Sequence, residues 1–393
     1  MDQLFSGIRV IELANVLAGP SVGMFFAELG AELIKVENVR THGDVTRSWR
    51  LPTETKEGDI SAYFTSINWG KKSIALDLKK EEGREIVYRL VKNADMVISS
   101  YLPGKDKKLG VDPESLLQVK KDLIVGEISG YGPEIQKAAF DAIIQAEAGF
   151  IYMNGEKQQT YKMPVALMDV MAGHQLKQGM LLAYIHKLKT GKGSIVHSSL
   201  LKSGISALVN QASNYLNIGH MPEPIGSEHP NIVPYGTQYA CNDGSKIILA
   251  IGNDVQFKRL CNHCLGVAVP ESFQRNEQRV AQRAGVHKFL SHLISQKSPI
   301  TLLEKISEHK IPASRVRNMK EVFEDQLTED VLLRGEHFKG VKSMISEGSF
   351  LPSDINLSEP PNLSEHAQEI LKDLNYSDQK ITELANQQVI LLP

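Results

Sequence analysis

Asp169 is the only charged residue in the stretch Met163-Pro164-Val165-Ala166-Leu167-Met168-Asp169-Val170-Met171-Ala172-Gly173, which runs straight into a helical pattern. As a helix N-cap it would accept a hydrogen bond from a first-turn N–H. A carboxylate at a helix start among apolar neighbours is also ionised but poorly hydrated, which suits a nucleophile attacking an acyl carbon. The two roles are compatible. Cys261-Asn262-His263-Cys264 has the C-x-x-C spacing of a metal site. Only Cys241 and scattered histidines could complete four ligands, and the cysteines fall on a helical run over 255–265, so they read as buried core thiols. No G-x-S-x-G elbow occurs, and His174 and His197 read as structural or surface residues.

Two other features could meet a phosphorylated ligand. The loop Ala14-Asn15-Val16-Leu17-Ala18-Gly19-Pro20 follows the first predicted strand and opens a helix, where a phosphate could meet free N–H groups. Gly19 and Gly23 do not supply the G-x-G-x-x-G pattern, and Pro20 removes an N–H, so NAD and flavin are rejected. Glu37, at the end of the second strand, reads as an ordinary strand-end carboxylate. No Walker A sequence is present. Lys71-Lys72, and Lys105, Lys107 and Lys108 after Pro103-Gly104, are flexible cations that turns could bring to one cleft. A solvated surface accounts for the same lysines.

The elements that must position these groups alternate in type. Strand-length apolar runs at 8–13, 32–37, 73–78, 95–99 and 123–128 are separated by helix-period segments at 20–29, 81–91 and 113–120, the rhythm of an α/β domain with a parallel sheet. Helical patterns then run to about 155 and over 170–189, followed by a strand at 194–198 and a helix at 200–216. Residues 219–237 are rich in Gly, Pro and His and read as loop. A hairpin pairs 235–241 with 246–251 around Asn242-Asp243-Gly244, and mostly helical segments fill 254–309. Two amphipathic patterns at 364–374 and 377–384 close the chain. The expected organisation is a large domain over 1–224, a small one over 225–325, and a tail over 326–393 that folds back to complete the first.

The chain has 393 residues, enough for more than one core, and 42% of them are hydrophobic and 23% charged, a folded-protein composition that argues against long disorder. A formal net charge of −2 gives no global drive toward nucleic acid or an anionic membrane. Three clustered cysteines imply no disulfide framework and a reducing compartment. Residues 1–13 lack the layout of a secretory signal, and no segment is long and apolar enough to span a bilayer. The expected location is the cytoplasm, with no membrane or nucleic-acid partner.

Read in order, the segments resemble the class III coenzyme A transferases, a family that includes formyl-CoA transferase, carnitine-CoA transferases and the α-methylacyl-CoA racemases. The likeness covers nearly the whole chain. It rests on Gly7-Ile8-Arg9-Val10-Ile11-Glu12-Leu13 with Ala18-Gly19-Pro20, on Leu29-Gly30-Ala31-Glu32-Leu33-Ile34-Lys35-Val36-Glu37, and on Asn68-Trp69-Gly70-Lys71-Lys72-Ser73-Ile74. Pro103-Gly104, Ile128-Ser129-Gly130-Tyr131-Gly132, Thr190-Gly191-Lys192-Gly193 and His229-Pro230-Asn231-Ile232-Val233-Pro234-Tyr235 add to it. Each is weak alone, and together in this order they are specific.

The resemblance implies a Rossmann-like large domain, a smaller α+β domain, and two chains interlocked as a homodimer. It places the family's catalytic aspartate on Asp169, and CoA near Val16, Lys71, Lys72, Ser100, Tyr101 and Pro103. CoA and acyl-CoA are then substrates, with no tightly bound cofactor and no metal. It assigns Leu17, Gly226, Ser227 and His229 to substrate-facing loops, the last three within Gly226-Ser227-Glu228-His229, the counterpart of a mobile loop over the active site. The implied reaction moves CoA from an acyl-CoA donor such as succinyl-CoA or acetyl-CoA to a small or dicarboxylic acid. It runs through an aspartyl anhydride and an aspartyl-CoA thioester. Leu17 stands where formyl-CoA transferase has a glutamine, which speaks against formyl and oxalyl transfer. Ser99-Ser100-Tyr101-Leu102 replaces the usual Glu-Asn-Phe-Arg. Arg47 and His229 are candidates to receive an acceptor carboxylate. The racemase branch uses a histidine in a Gly-His-Asp context; here Ala139-Phe140-Asp141 puts a phenylalanine, which cannot accept a proton, in the histidine's place, so α-carbon isomerisation is the alternative, followed by a non-catalytic CoA-binding protein.

Overall fold

The run Val10, Ile11, Leu13 is buried on both sides of its strand, as in a central strand of a parallel sheet covered on both faces. In the computed structural model, which describes residues 3–54, 58–343, 348, 351 and 355–393, the chain forms two compact units. The first comprises Met1–Ala148, Val165–Leu208 and Asp330–Pro393; the second comprises Gly149–Pro164 and Val209–Glu329. The second unit is thus wider than the 225–325 stretch expected, because it also takes in a hairpin of Gly155–Glu156 with Gln159–Thr160 and a helix over Asn210–Ile218.

The first unit is built on a six-stranded sheet of β1 (Arg9–Leu13), β2 (Glu32–Asn38), β3 (Lys71–Leu76), β4 (Met96–Ser99), β5 (Ile124–Ser129) and β6 (Ser194–Ser199). Their order is β3-β2-β1-β4-β5-β6 and every pairing is parallel. The order reverses between β1 and β4, so the crevice past their carboxyl ends is where this architecture binds ligands. Around the sheet lie α1 (Ala18–Glu28), α2 (Glu81–Lys92), α3 (Pro113–Val119), α4 (Asp141–Glu147), α5 (Leu167–Thr190) and α6 (Leu200–Ser206). Gly173 lets α5 approach α1, because a Cβ there would stand 2.6 Å from Ser21 Oγ and 3.2 Å from Ala18 O.

Two expected helices are shorter than their patterns. The one expected to reach about 155 stops at Glu147, and the one expected over 200–216 breaks after Ser206. Val209, at φ 45° in the left-handed region that β-branched residues avoid, marks the second break.

The segment from 364 to 391 returns to the first unit through α7 (Ala367–Asp373) and α8 (Asp378–Asn386). Leu371, Leu384 and Ile390 join Ile11, Leu13, Val97, Ile86 and Leu116 in one core. The same segment covers the outer edge of β3: His366 N–H donates to Ser73 O (3.0 Å), Leu391 N–H to Ala75 O (3.3 Å) and Asp77 N–H to Val389 O (2.8 Å). An open edge would otherwise present unpaired donors and acceptors.

The second unit has a three-stranded antiparallel sheet of β7 (Tyr235–Ala240), β8 (Lys246–Ala250) and β9 (Ala313–Arg315), with β8 in the centre. Ile247 and Leu249 pack with Phe257, Leu290 and Leu302 from the helices. Cys241, Cys261 and Cys264 lie free and buried in that core. Among the described residues no helix is long and apolar enough to cross a membrane.

Leu371 is fully buried on α7 while Gln368 of the same helix is exposed. Leu371→Ala should cost about 2–5 kcal/mol in chemical denaturation, and Gln368→Ala should stay within about 0.5 kcal/mol. Equal, small effects would show that the returning segment contributes no core.

Candidate active site

The third residue of α5 is Asp169, one turn before Gly173. The N-cap position belongs to Ala166, which has no capping side chain. The capping role expected of Asp169 falls instead to Asp141 at the start of α4, whose Oδ1 accepts the Met168 N–H at 2.7 Å. Asp141 Oδ2 accepts from Gln145 Nε2 at 2.6 Å, and the same amide reaches Val165 O at 3.3 Å. Asp169 itself is 8% exposed. Among the described residues nothing donates a hydrogen bond to its carboxylate. Burial, with the Asp141 charge as a smaller contribution, raises it to about 7. The helix start favours the anion, but desolvation wins. Asp169 is therefore a carboxylate that titrates near neutrality, not the fully ionised group expected.

Around the crevice, the loop after β1 is tied to its neighbours by backbone groups. Asn15 N–H donates to Ser100 Oγ (3.1 Å), and Ser100 N–H donates to Leu13 O (3.4 Å), joining the loops after β1 and β4. Val16 sits at φ 72°, a conformation that costs a β-branched residue about 1–3 kcal/mol. Its N–H donates to both oxygens of Asp44, at 3.1 and 3.3 Å. Asp44 also accepts from Thr46 and stands 3.0 Å from Lys35 Nζ; despite burial, these contacts hold its carboxyl below the usual range. Leu17 then occupies the N-cap position of α1 and offers no capping side chain.

Tyr63, on the short helix Ala62–Thr65, was not singled out by the sequence reading. Its half-buried hydroxyl is raised by burial and by the charges of Asp169, Asp141 and Asp44, so one phenol lies within electrostatic reach of all three. Trp49 packs edge-on against its ring at 5.1 Å. No local pattern marks Tyr63, since only tertiary folding brings it within reach of Asp169.

Several residues expected near CoA are placed elsewhere or otherwise engaged. Lys71 is buried, and its Nζ donates to Glu12 Oε2 (2.8 Å), Pro20 O (2.9 Å) and Asn68 Oδ1 (3.0 Å), leaving nothing for a phosphate. Lys72 lies at the amino ends of the strands, paired with Glu32 and Glu369 at 2.9 and 2.7 Å, opposite the ligand crevice. Arg47 is also buried, held by Glu37 at 2.7 and 2.9 Å, so it does not receive a substrate carboxylate and Glu37 is no ordinary strand-end acid. Ser100, Tyr101 and Pro103 do follow β4 at the crevice end. Tyr101 packs on the strand core, and burial pushes its hydroxyl up to about 12. Lys105, Lys107 and Lys108, on the short helix after Gly104, are exposed.

In the second unit, the loop of Gly226, Ser227 and His229 is fastened rather than loose. Gly226 N–H donates to Gly155 O at 2.6 Å. Glu228 pairs with Arg283 (2.8 Å) and His287 (2.9 Å), and Arg283 also donates to the carbonyls of His229 and Pro230, both at 3.1 Å. Burial and Arg283 push the His229 imidazole below its ordinary range, so at neutral pH it carries no charge to attract a carboxylate. Ser227 is exposed. Among the described residues no group of three His, Cys, Asp or Glu side chains could hold a metal ion.

Comparison with known proteins gives the family of the chain. Residues 5–352 match the family model described as CoA-transferase family III. The chain is 36% identical to a succinate–glutarate CoA-transferase of Agrobacterium fabrum, covering 96% of this chain and 97% of that one. It is 32% identical to a succinyl-CoA:glutarate CoA-transferase of Homo sapiens, covering 98% and 89%. A crystal structure of a CaiB/BaiF family protein from Brucella suis matches with a TM-score of 0.83 at 34% identity, covering 95% of this chain and 100% of that one. The chain belongs to CoA-transferase family III. It is an enzyme of that class, and its substrates are CoA thioesters and carboxylic acids.

The raised Asp169 carboxyl has a consequence for stability. Its folded-state value of about 7 lies above the unfolded one, so its contribution is intact below pH about 4 and is lost as pH rises toward 7. Asp169→Asn should therefore be more stable than the wild type by about 2–4 kcal/mol at pH 8, with the gap closing by about pH 4 in urea unfolding. A gap that does not change with pH would mean that Asp169 is hydrated like a surface carboxylate.

Proposed function

We propose that this enzyme moves CoA from succinyl-CoA, or another small acyl-CoA, to a dicarboxylic acid of glutarate type, with Asp169 as the covalent carrier. The observation that carries the proposal is the Asp169 carboxylate itself: slightly exposed, free of hydrogen-bond donors among the described residues, and at the head of a helix set against α1. The donor and acceptor class is supported by the names of the two relatives above. The racemase alternative has no support at Phe140, an exposed residue without a proton to exchange.

Asp169 Oδ attacks the thioester carbon, the C–S bond breaks, and CoA leaves as the thiolate with an acyl–aspartyl anhydride in place. The thiolate then attacks the aspartyl carbonyl, the donor acid departs as its carboxylate, and an aspartyl-CoA thioester remains. An acceptor carboxylate attacks that thioester and releases the thiolate, which returns to the acceptor's acyl carbon and frees Asp169. One thioester replaces another, so the sequence needs no outside energy source. A desolvated carboxylate is more basic and hence more nucleophilic than a hydrated one, which is what the Asp169 setting supplies. CoA then lies over the carboxyl ends of β1 and β4, beside Val16, Ser100, Tyr101 and Pro103. The exposed Lys105, Lys107 and Lys108 replace Lys71 and Lys72 as candidates for its phosphates. Leu17 and the loop of Gly226, Ser227 and His229 remain candidates for the acid substrates.

We further propose that the chain works as an interlocked homodimer. On α5, Leu182, Ile185 and Leu188 share one face and are 67%, 48% and 69% exposed, an apolar stripe that solvent alone does not explain. Sedimentation at micromolar concentration should give twice the chain mass of 43.6 kDa, and a monomer at that concentration would exclude the pair.

Hydroxylamine added during turnover with succinyl-CoA and glutarate should leave a hydroxamate on Asp169, detected by peptide mass. Asp169→Ala should lose the adduct and at least about a thousandfold of exchange activity. Undiminished exchange in that variant would remove the nucleophile from the scheme.

A further inference from the structure

Asp141 stands 27 residues before Met168 in sequence, yet its carboxylate closes the first turn of the helix that carries Asp169. It is itself the first residue of α4 and is 8% exposed, so its negative charge sits at the positive ends of two helices at once. Both oxygens are used, by the Met168 N–H and by Gln145 Nε2, and neither partner is a cation. Gln145 is fully buried and also binds Val165 O, so the segment entering α5 and the carboxylate that caps it are fixed by one amide. Among the described residues, the Tyr63 hydroxyl feels the charges of Asp169, Asp141 and Asp44, and Asp44 is paired with Lys35. Among the described residues no cation pairs with Asp141, whose charge lies beside Asp169.

We propose that Asp141 is a positioning residue for the transfer reaction, one that seats the first turn of α5 and holds a negative charge next to the residue that carries the reaction. This rests on the reading of Asp169 as the acylated residue. Two carboxylates in contrasting surroundings divide the work: one is fixed by hydrogen bonds at the start of two helices, and the other, desolvated beside it, is kept reactive. The arrangement gives the acylation step an acid limb near neutrality, since only ionised Asp169 attacks and its direction of shift is upward.

The test follows the ionisation of Asp169 directly, by infrared difference spectra of the enzyme against Asp169→Asn across pH, alongside the pH profile of acylation by succinyl-CoA. Asp141→Asn keeps an oxygen for the Met168 N–H but removes the charge. It should lower the Asp169 midpoint by about one pH unit and raise the pH 6 to pH 8 rate ratio several-fold. Asp141→Glu, which restores the charge, should return the midpoint toward the wild-type value. If Asp141→Asn does not fold, Asp141→Ser, uncharged and still a cap, serves the same comparison. An Asp169 midpoint that stays put when the charge is removed overturns the inference even if acylation proceeds. A midpoint that falls in an enzyme forming no Asp169 adduct supports the coupling and defeats the proposed reaction instead.

Discussion

Glu12 has no solvent exposure and holds two lysines, Lys35 at 2.9 Å and Lys71 at 2.8 Å, one on each of its oxygens. Three strands of the sheet are thereby joined by side chains as well as by their ladder. Lys35 goes on to Ala14 O and to Asp44, and Asp44 takes the Val16 N–H, so the charge cluster reaches the loop at the ligand crevice. Burial opposes the charge on Lys35, but Glu12, Asp44 and Glu37 outweigh it and keep it above its ordinary range; Lys71, with Glu12 alone as direct carboxylate partner, is drawn down to about 8 by burial. A buried cluster of this kind is weak evidence for net stability, yet losing one member costs about 3–5 kcal/mol because the others remain desolvated. Gly23 is part of the arrangement, since a Cβ there would stand 2.0 Å from Glu12 Oε2. The strained Val16 turn is held by this network rather than by its own preference.

The site combines two rigid supports. One is the tied pair of loops after β1 and β4. The other is the head of α5, set by its close approach to α1 and by the Asp141 cap. Both are fastened by contacts between separate elements, and Asp169 can thus remain poorly solvated without a partner that would neutralise it among the described residues. The cost appears as a carboxyl raised into the neutral range. Strain and desolvation of this sort are common where a group must react rather than rest.

Much of the first unit was legible because its strands are buried on both faces and therefore read as unbroken apolar runs between helical patterns. The poor hydration of Asp169 was legible for a related reason, as a lone charge in an apolar stretch. The functions of Lys71 and Lys72 were not. Adjacent lysines look alike in sequence, but strand alternation sends Lys71 inward to Glu12, while Lys72 pairs at the sheet's amino end. Arg47 misled in the same way, because its Glu37 partner sits on a separate element. Asp141 and Tyr63 reach Asp169 only through tertiary folding, and periodicity carries no trace of that. The breaks near 149 and 207 were missed because the apolar pattern continues while the backbone turns away.

Coverage of β3 by residues 364 to 391 has a bearing on how the chain comes to be made. The first five strands are complete by residue 129, but the flank of β3 acquires its partner only when a segment more than two hundred residues later has been translated. Throughout that interval a nascent chain displays a bare ribbon of amide and carbonyl groups, a template on which neighbouring chains can zip together. The late segment is thus a latch against self-association on the ribosome, and slow or premature termination would leave its owner sticky before it was ever active.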